Sequence, residues 1–265
     1  MTNDSPVKAV SVTLVVALVC SIMVSTTHVL LEPVQQAYEQ LDRNRHIVLA
    51  AGLAEPGDNL SDRAIVAGFT ELQPVVVDLQ AARSSDDMDS ATFDQRAAAQ
   101  DPELSVEIPR EKDLAGLGRR SRFAPAYFYI RADRIERIVL PIHGKGMWSM
   151  IYGYLALGPD LNTITAVTFH EQGETPGVGD RFLDPAWRAQ WNGKALYDES
   201  GTFRFGITAA QLDDVRERHE VDAITGATVT SDSLENLVRY WVGDHGFGPY
   251  LEYLRETNRQ PDTAL

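Results

Sequence analysis

The chain has 265 residues, 44% apolar and 23% charged, with 24 Lys and Arg against 38 Asp and Glu and a formal net charge of −14. That balance leaves no electrostatic case for binding nucleic acid or anionic lipid, and the length allows one sizeable globular domain beyond any membrane segment. The single cysteine, Cys20, falls in an apolar N-terminal run. The rest of the chain can therefore form no disulfide, thiolate zinc site or cysteine-ligated iron–sulfur cluster by itself, and redox work there needs an organic cofactor.

Residues 9–31 contain no Asp, Glu, Lys or Arg. At 1.5 Å per residue such a run spans the ~30 Å hydrocarbon core, which predicts one transmembrane helix preceded by a short N-terminal segment, residues 1–8. Val34, Tyr38, Leu41, Val48 and Leu49 continue a roughly helical apolar pattern, so a juxtamembrane helix is expected over 32–55, with Pro33 either starting it or kinking a continuous one. A cleaved signal peptide competes with this reading, but no Ala-x-Ala site follows. A lipoprotein anchor at Cys20 also competes, but bulky Val19 stands where a small residue is wanted. Lys8 and the free amine lie on one side, with no Lys or Arg on the other until Arg43; this predicts the N-terminus inside and the large domain outside.

Residues 56–122 read as the N-terminal part of the soluble domain. A strand pattern at 74–79 is followed by a polar, acidic tract at 84–101 and then by Arg119, Arg120 and Arg122. The tract is expected to be a solvated insertion in front of the main core, and the arginines a solvated charge run, with docking of an acidic partner as the alternative. Over residues 123–265 the pattern sharpens. Stretches at 127–130, 137–142, 151–157 and 163–169 are rich in β-branched and aromatic residues, with Gly158-Pro159-Asp160 as a turn between the last two. Asp184-Pro185 offers an N-cap with Pro at the first helical position, and Asn192-Gly193 a stop. Gly246-Phe247-Gly248-Pro249 separates a helix running on from Asp232 from a short one at 251–255. The expected fold class is α+β: a single N-terminal transmembrane helix, then a globular domain with a mainly antiparallel sheet and flanking helices.

Three loops in this domain are unusual. Gly144-Lys145-Gly146-Met147-Trp148-Ser149 precedes a strand and lacks a third glycine, so a dinucleotide fingerprint fails its context test; it can still bring Trp148 against an aromatic ligand. Gly173-Glu174-Thr175-Pro176-Gly177-Val178-Gly179 combines three glycines for close approach with two polar side chains able to bond a ring edge. His143, His170, Glu171 and Glu174 match no zinc-site spacing, and no metal is predicted. The third loop, Asp222-Ala223-Ile224-Thr225-Gly226-Ala227-Thr228-Val229-Thr230-Ser231, is crowded with hydroxyls. Because Leu234, Leu237, Val238 and Trp241 follow at helical spacing, Thr230, Ser231 or Asp232 is expected as N-cap, with Asp232 and Glu235 as a capping pair. The free amides of such a helix start suit a phosphate; an ordinary capped turn is the alternative.

Thr225-Gly226-Ala227-Thr228, preceded by Asp222, resembles the flavinylation signature of FMN-binding domains, in which a flavin transferase esterifies the phosphate of FMN to the last threonine. Taken with 144–149, 171–177, Ala189-Gln190-Trp191 and 246–249 in order, nearly the whole chain is similar to the C subunits of sodium-translocating NADH:quinone oxidoreductases. The resemblance implies FMN covalently attached through its phosphate to Thr228, with Asp222, Thr225, Gly226 and Ala227 as the transferase's recognition sequence. It implies ring contacts from Trp148, Glu174, Thr175 and Gly177. Val178 stands where the family pattern has Leu, and Thr225 where Ser is more familiar; each keeps the apolar or hydroxyl character. It further implies an FMN-binding domain over 123–265, an inner-membrane location in a bacterium with the large domain periplasmic, and other membrane subunits of the same complex as partners. The implied activity is electron relay within a sodium-pumping NADH:ubiquinone oxidoreductase, this chain acting as an electron carrier. Two alternatives are the flavin subunit of the related ferredoxin:NAD electron transport complex and a non-redox, membrane-anchored envelope protein.

Overall fold

In the computed structural model, residues 6–54, 60–90, 92–210 and 216–257 are described. Contacts divide the chain into two units at residues 43 and 44. The first unit holds most of α1 (Pro6–Ala50), a single 45-residue helix with Pro33 inside it. Of the two roles expected for Pro33, the structure takes the continuous helix: the proline removes the bond that residue 33 would donate to Val29, without ending the helix. The apolar part of α1 is long enough to cross a membrane.

The second unit begins with the last turn of α1, where Ile47, Val48 and Ala50 are buried. Next comes α2 (Asp62–Thr70), started by Ser61, whose hydroxyl accepts from the Ala64 amide at 3.3 Å. The main sheet opens with β1 (Leu72–Asp78) and its short partner β2 (Arg83–Ser85). After α3 (Gln95–Gln100) and a small hairpin of β3 (Ser105–Glu107) with β4 (Arg119–Ser121), it continues with β5 (Phe123–Arg131) and β6 (Arg134–Lys145). Two more strands, β7 (Met150–Leu157) and β8 (Ile164–Glu171), complete six in the order β2-β1-β5-β6-β7-β8, every neighbouring pair antiparallel. Helix α4 (Pro185–Ala189) follows. A parallel pair, β9 (Gly206–Thr208) with β10 (Glu220–Asp222), leads into α5 (Thr228–Val242) and α6 (Gly248–Thr257). The α+β class, the antiparallel sheet and the flanking helices match expectation, as does the Asp184 cap, whose side chain accepts from the Ala186 amide at 2.9 Å.

Both faces of the sheet are covered. Ile138, Leu140, Ile142, Leu155 and Phe169 on one face share a core with Leu234, Leu237 and Trp241 of α5 and Leu251 of α6. Val139, Tyr154, Ala156 and Tyr127 on the other face pack on Ile47, Ala50 and Ala51. Gly144 lets α5 approach: a Cβ there would lie 2.8 Å from the Leu237 Cβ.

The region before residue 122 differs from expectation. The strand expected at 74–79 lies inside the main sheet as β1, paired along its whole length with β5 from Leu72↔Tyr129 to Asp78↔Phe123. Val75 and Val77 belong to the principal core, so the polar tract after it is an excursion from the core and not a segment in front of it. Of the three arginines, Arg119 is exposed and Arg122 partly so, as a solvated run would be, but Arg120 is not. Arg120 is 6% exposed and donates to the Ser121 carbonyl at 2.9 Å, Arg119 meets Glu107 at 3.0 Å, and Arg122 Nε meets Asp78 Oδ2 at 3.0 Å. Burial pushes the Asp78 carboxyl up, but Arg122 and the Ala81 and Gln80 amides together hold it below the usual carboxylate range.

His143 on β6 stacks on Tyr152 at 5.3 Å between ring centres and tilts against Trp241 at 4.6 Å. Burial, helped by the positive charge of Arg96, pushes its imidazole down to about 3. The unfolded chain, with an ordinary value near 6.5, therefore binds a proton that the native state does not, and stability falls as pH drops from about 6.5 towards 3. Unfolding free energies from urea titrations between pH 7.5 and 4.5 should fall more steeply for wild type than for His143→Gln, by at most about 1.4 kcal/mol per pH unit; equal slopes would show that His143 is not the group responsible.

Candidate functional site

Three loops that are distant in sequence converge on one buried carboxylate. The β6–β7 hairpin turns tightly over Gly146, whose amide donates to the Ser149 carbonyl at 2.7 Å; Trp148 sits at its tip, 66% exposed. The segment after β8 folds back on itself, with the Thr175 carbonyl accepting from Val178 at 3.1 Å and Gly179 at 2.9 Å. Gly177 has φ +75° there, and its amide donates to Asp180 Oδ1 at 2.7 Å. In the third loop the Ala227 amide donates to the Ile224 carbonyl at 3.0 Å. Gly226, third in that turn, has φ +83°, a conformation that glycine takes without steric cost.

Glu174 joins them. It is 3% exposed; Oε1 accepts from the Trp148 amide at 3.0 Å and Oε2 from the Thr230 hydroxyl at 2.7 Å. The space around it is fitted to glycine: a Cβ at Gly146 would lie 2.5 Å from Glu174 Oε1, and one at Gly179 3.0 Å from Glu174 Cβ. Among the residues expected at the ring, Trp148, Thr175 and Gly177 are exposed, whereas Glu174 turns both oxygens to the protein.

The helix start differs from expectation. Helix α5 begins at Thr228, with Ala227 in the N-cap position and no capping side chain. Thr230 and Ser231 are buried within its first turn. The Ser231 hydroxyl accepts from the Ile224 amide at 3.0 Å and donates to the Ala227 carbonyl at 3.1 Å. Glu235 does not pair with Asp232 as a cap; it accepts from the Ile207 amide at 3.0 Å and meets Arg239. The consequence is chemical. The hydroxyls that looked like caps are used inside the protein, while Thr225, Gly226 and Thr228 are exposed and no side chain occupies the end of the helix. First-turn amides have no intrahelical acceptor and favour an anion.

Asp222 is held by its backbone from α4: the Trp187 indole donates to its carbonyl at 2.8 Å, and its amide donates to Gln190 Oε1 at 3.0 Å. Gln190 lies in the Ala189-Gln190-Trp191 motif, but its partner was not legible from spacing. The side chain of Asp222 stays exposed, a few residues before Thr228 in the chain and clear of α4's grip.

The donor set fits a flavin mononucleotide. An exposed hydroxyl and an uncapped helix end suit the phosphate, and exposed Met147, Trp148, Val178 and Val229 supply apolar surface for a planar ring. Val178 and Gly226 are neighbours: a Cβ on the glycine would be 3.9 Å from Val178 Cγ1. A surface depression among Asn162, Tyr197, Asp198 and His219 holds none of these residues.

A profile of the FMN-binding domain family matches residues 146–243, which include all three loops from Gly146 onward. The chain is 39% identical over 257 residues to the C subunit of the Na+-translocating NADH-quinone reductase from Pseudomonas aeruginosa, covering 96% of this chain and 98% of that one. The chain belongs to the family of these reductase C subunits. It is 38% identical to the protein of the same name from Vibrio alginolyticus, over 96% and 97% of the two chains. The crystal structure of Shewanella oneidensis NqrC superposes with a TM-score of 0.75 at 33% identity, covering 83% of this chain and 99% of that one.

Glu174→Ala leaves the Trp148 amide and the Thr230 hydroxyl without acceptors, and each bond to a charged group contributes about 1.5–3 kcal/mol. The expected outcome is a lowered urea midpoint. Thr230→Val, which removes one of the two bonds, should cost less, and a midpoint unchanged in both variants would show that the bridge does not support the fold.

Proposed function

We propose that this protein holds FMN as a phosphodiester on Thr228 and relays electrons through it within a sodium-translocating NADH:quinone reductase. The observation that carries the reading is the position of Thr228: the first residue of α5, exposed, beside Gly226 and at an uncapped helix end, while neighbouring Thr230 and Ser231 are engaged in internal bonds. Attachment forms an oxygen–phosphorus bond at the Thr228 hydroxyl, which gives up its proton, while the pyrophosphate bond of an activated flavin donor such as flavin adenine dinucleotide breaks and its nucleotide monophosphate leaves. Asp222, Thr225, Gly226 and Ala227 present the site to a flavin transferase, and the exposed Asp222 and Thr225 side chains are free for that encounter.

When bound, FMN supplies reversible one- and two-electron chemistry. The residues of this chain would bind and orient it: the first-turn amides of α5 would hold the phosphate, and Trp148, Thr175, Gly177 and Val178 would offer a surface to the ring, while Glu174 fixes the two loops that carry them. No side chain here makes or breaks a substrate bond. The names of the relatives favour the NADH–quinone enzyme over the ferredoxin:NAD complex.

Helix α1 anchors the protein in the inner membrane, with residues 1–8 cytoplasmic and the domain periplasmic, as supported by Lys8 on one side and no Lys or Arg until Arg43 on the other. Alkaline phosphatase fused after the C-terminus should accordingly be active, whereas activity only from a cytoplasmic reporter would reverse the orientation.

The chemical test is flavin fluorescence on a denaturing gel after co-expression with a flavin transferase. Wild type should fluoresce, Thr228→Ala should not, and Ser231→Ala should remain fluorescent. Fluorescence surviving in Thr228→Ala would sink the assignment of the attachment atom.

A further inference from the structure

The hydroxyl side chains of the apolar run do not all behave alike. Ser11, Thr13 and Thr27 return to carbonyls four residues earlier, at 2.8, 3.0 and 2.8 Å, a bond that makes a hydroxyl tolerable in hydrocarbon. Among the described residues, Ser21, Ser25 and His28 make no hydrogen bond, and all three are exposed. At 3.6 residues per turn, Ser21, Ser25, His28, Glu32, Gln36 and Glu39 fall within a sector of about 100°. The Gln36 amide reaches Glu32 Oε1 at 3.4 Å along that line. The opposite side at the same depth is apolar: Val16, Val19, Met23 and Leu30. Among the described residues 9–31, Thr26 alone leaves an unbonded hydroxyl off the stripe.

We infer that this stripe is the docking face for a transmembrane helix of another subunit of the complex. The inference rests on the reading that α1 spans the bilayer. Ser21, Ser25 and His28 lie in the C-terminal half of the apolar run, where polar groups turned to lipid are costly and are found instead against protein. The stripe carries two carboxylates, and the chain has no Lys or Arg between Lys8 and Arg43. A parallel second copy would set Glu32 against Glu32, so charge disfavours self-association. The partner that fits places hydrogen-bonding side chains opposite Ser21, Ser25 and His28, and a Lys or Arg at the level of Glu32.

Photoreactive residues placed singly at positions 23, 25, 28 and 30 of the full chain, in the intact complex in native membranes, test this. Positions 25 and 28 should give adducts to a different polypeptide at least about fivefold above positions 23 and 30, which should label lipid. Equal protein adducts from both faces, lipid labelling from the stripe, or adducts of twice this chain's mass would each overturn it. Labelling of neither lipid nor protein at positions 23 and 30 would instead remove the membrane reading beneath it. A second measurement uses charge: Glu32→Gln should leave co-purification of the other subunits within about twofold, and Glu32→Lys should reduce it at least about threefold; no difference between the two would count against a basic partner.

Discussion

The Glu174 carboxylate, 3% exposed, is the constraint on which the site depends. Burying such a group is costly unless its oxygens are bonded, and here the donors come from two other loops: the Trp148 amide and the Thr230 hydroxyl. The cost of burial thereby becomes a requirement that the β6–β7 hairpin, the segment after β8 and the first turn of α5 occupy fixed relative positions. Gly146 and Gly179 are part of the same requirement, because a Cβ at either would press on the Glu174 side chain.

The sheet makes that convergence possible. β6, β7 and β8 are consecutive antiparallel neighbours, so the β6–β7 turn and the end of β8 emerge at the same edge of the domain. Helix α5 crosses β6 closely because Gly144 lacks a side chain under Leu237, and its first turn is carried to that edge as well. Trp187 and Gln190 then fix the backbone of Asp222 from the far side of the loop. Each element is ordinary by itself; the site arises from where the strands end.

Much of this was legible in the sequence because it is written in local patterns. The alternating apolar residues of β5 to β8, the Asp184-Pro185 start and the glycine-rich loops announce themselves within a few residues. What failed depended on distant partners. Thr230 and Ser231 have the right chemistry for an N-cap, but Thr230 is claimed by Glu174, 56 residues away in sequence, and Ser231 by Ile224; the helix therefore starts earlier, at Thr228. The ion pair of Arg122 was not legible because its partner Asp78 is 44 residues away. The strand at β1 was visible, but its place beside β5 was not, since pairing is a long-range fact that a short apolar run does not encode.

The shape of the site bears on why a covalent link suits it. Trp148, Thr175, Gly177 and Thr228 are exposed. Sites that hold a dissociable cofactor bury most of its surface in a concave pocket, and this edge offers mainly exposed loop surface and one helix end. On the proposed reading, the phosphodiester at Thr228 supplies the retention that enclosure would otherwise provide, leaving the ring accessible to redox partners. The buried bridge at Glu174 then has a narrower task than binding: it keeps the attachment point and the ring surface in register, so that a tethered group is also an oriented one.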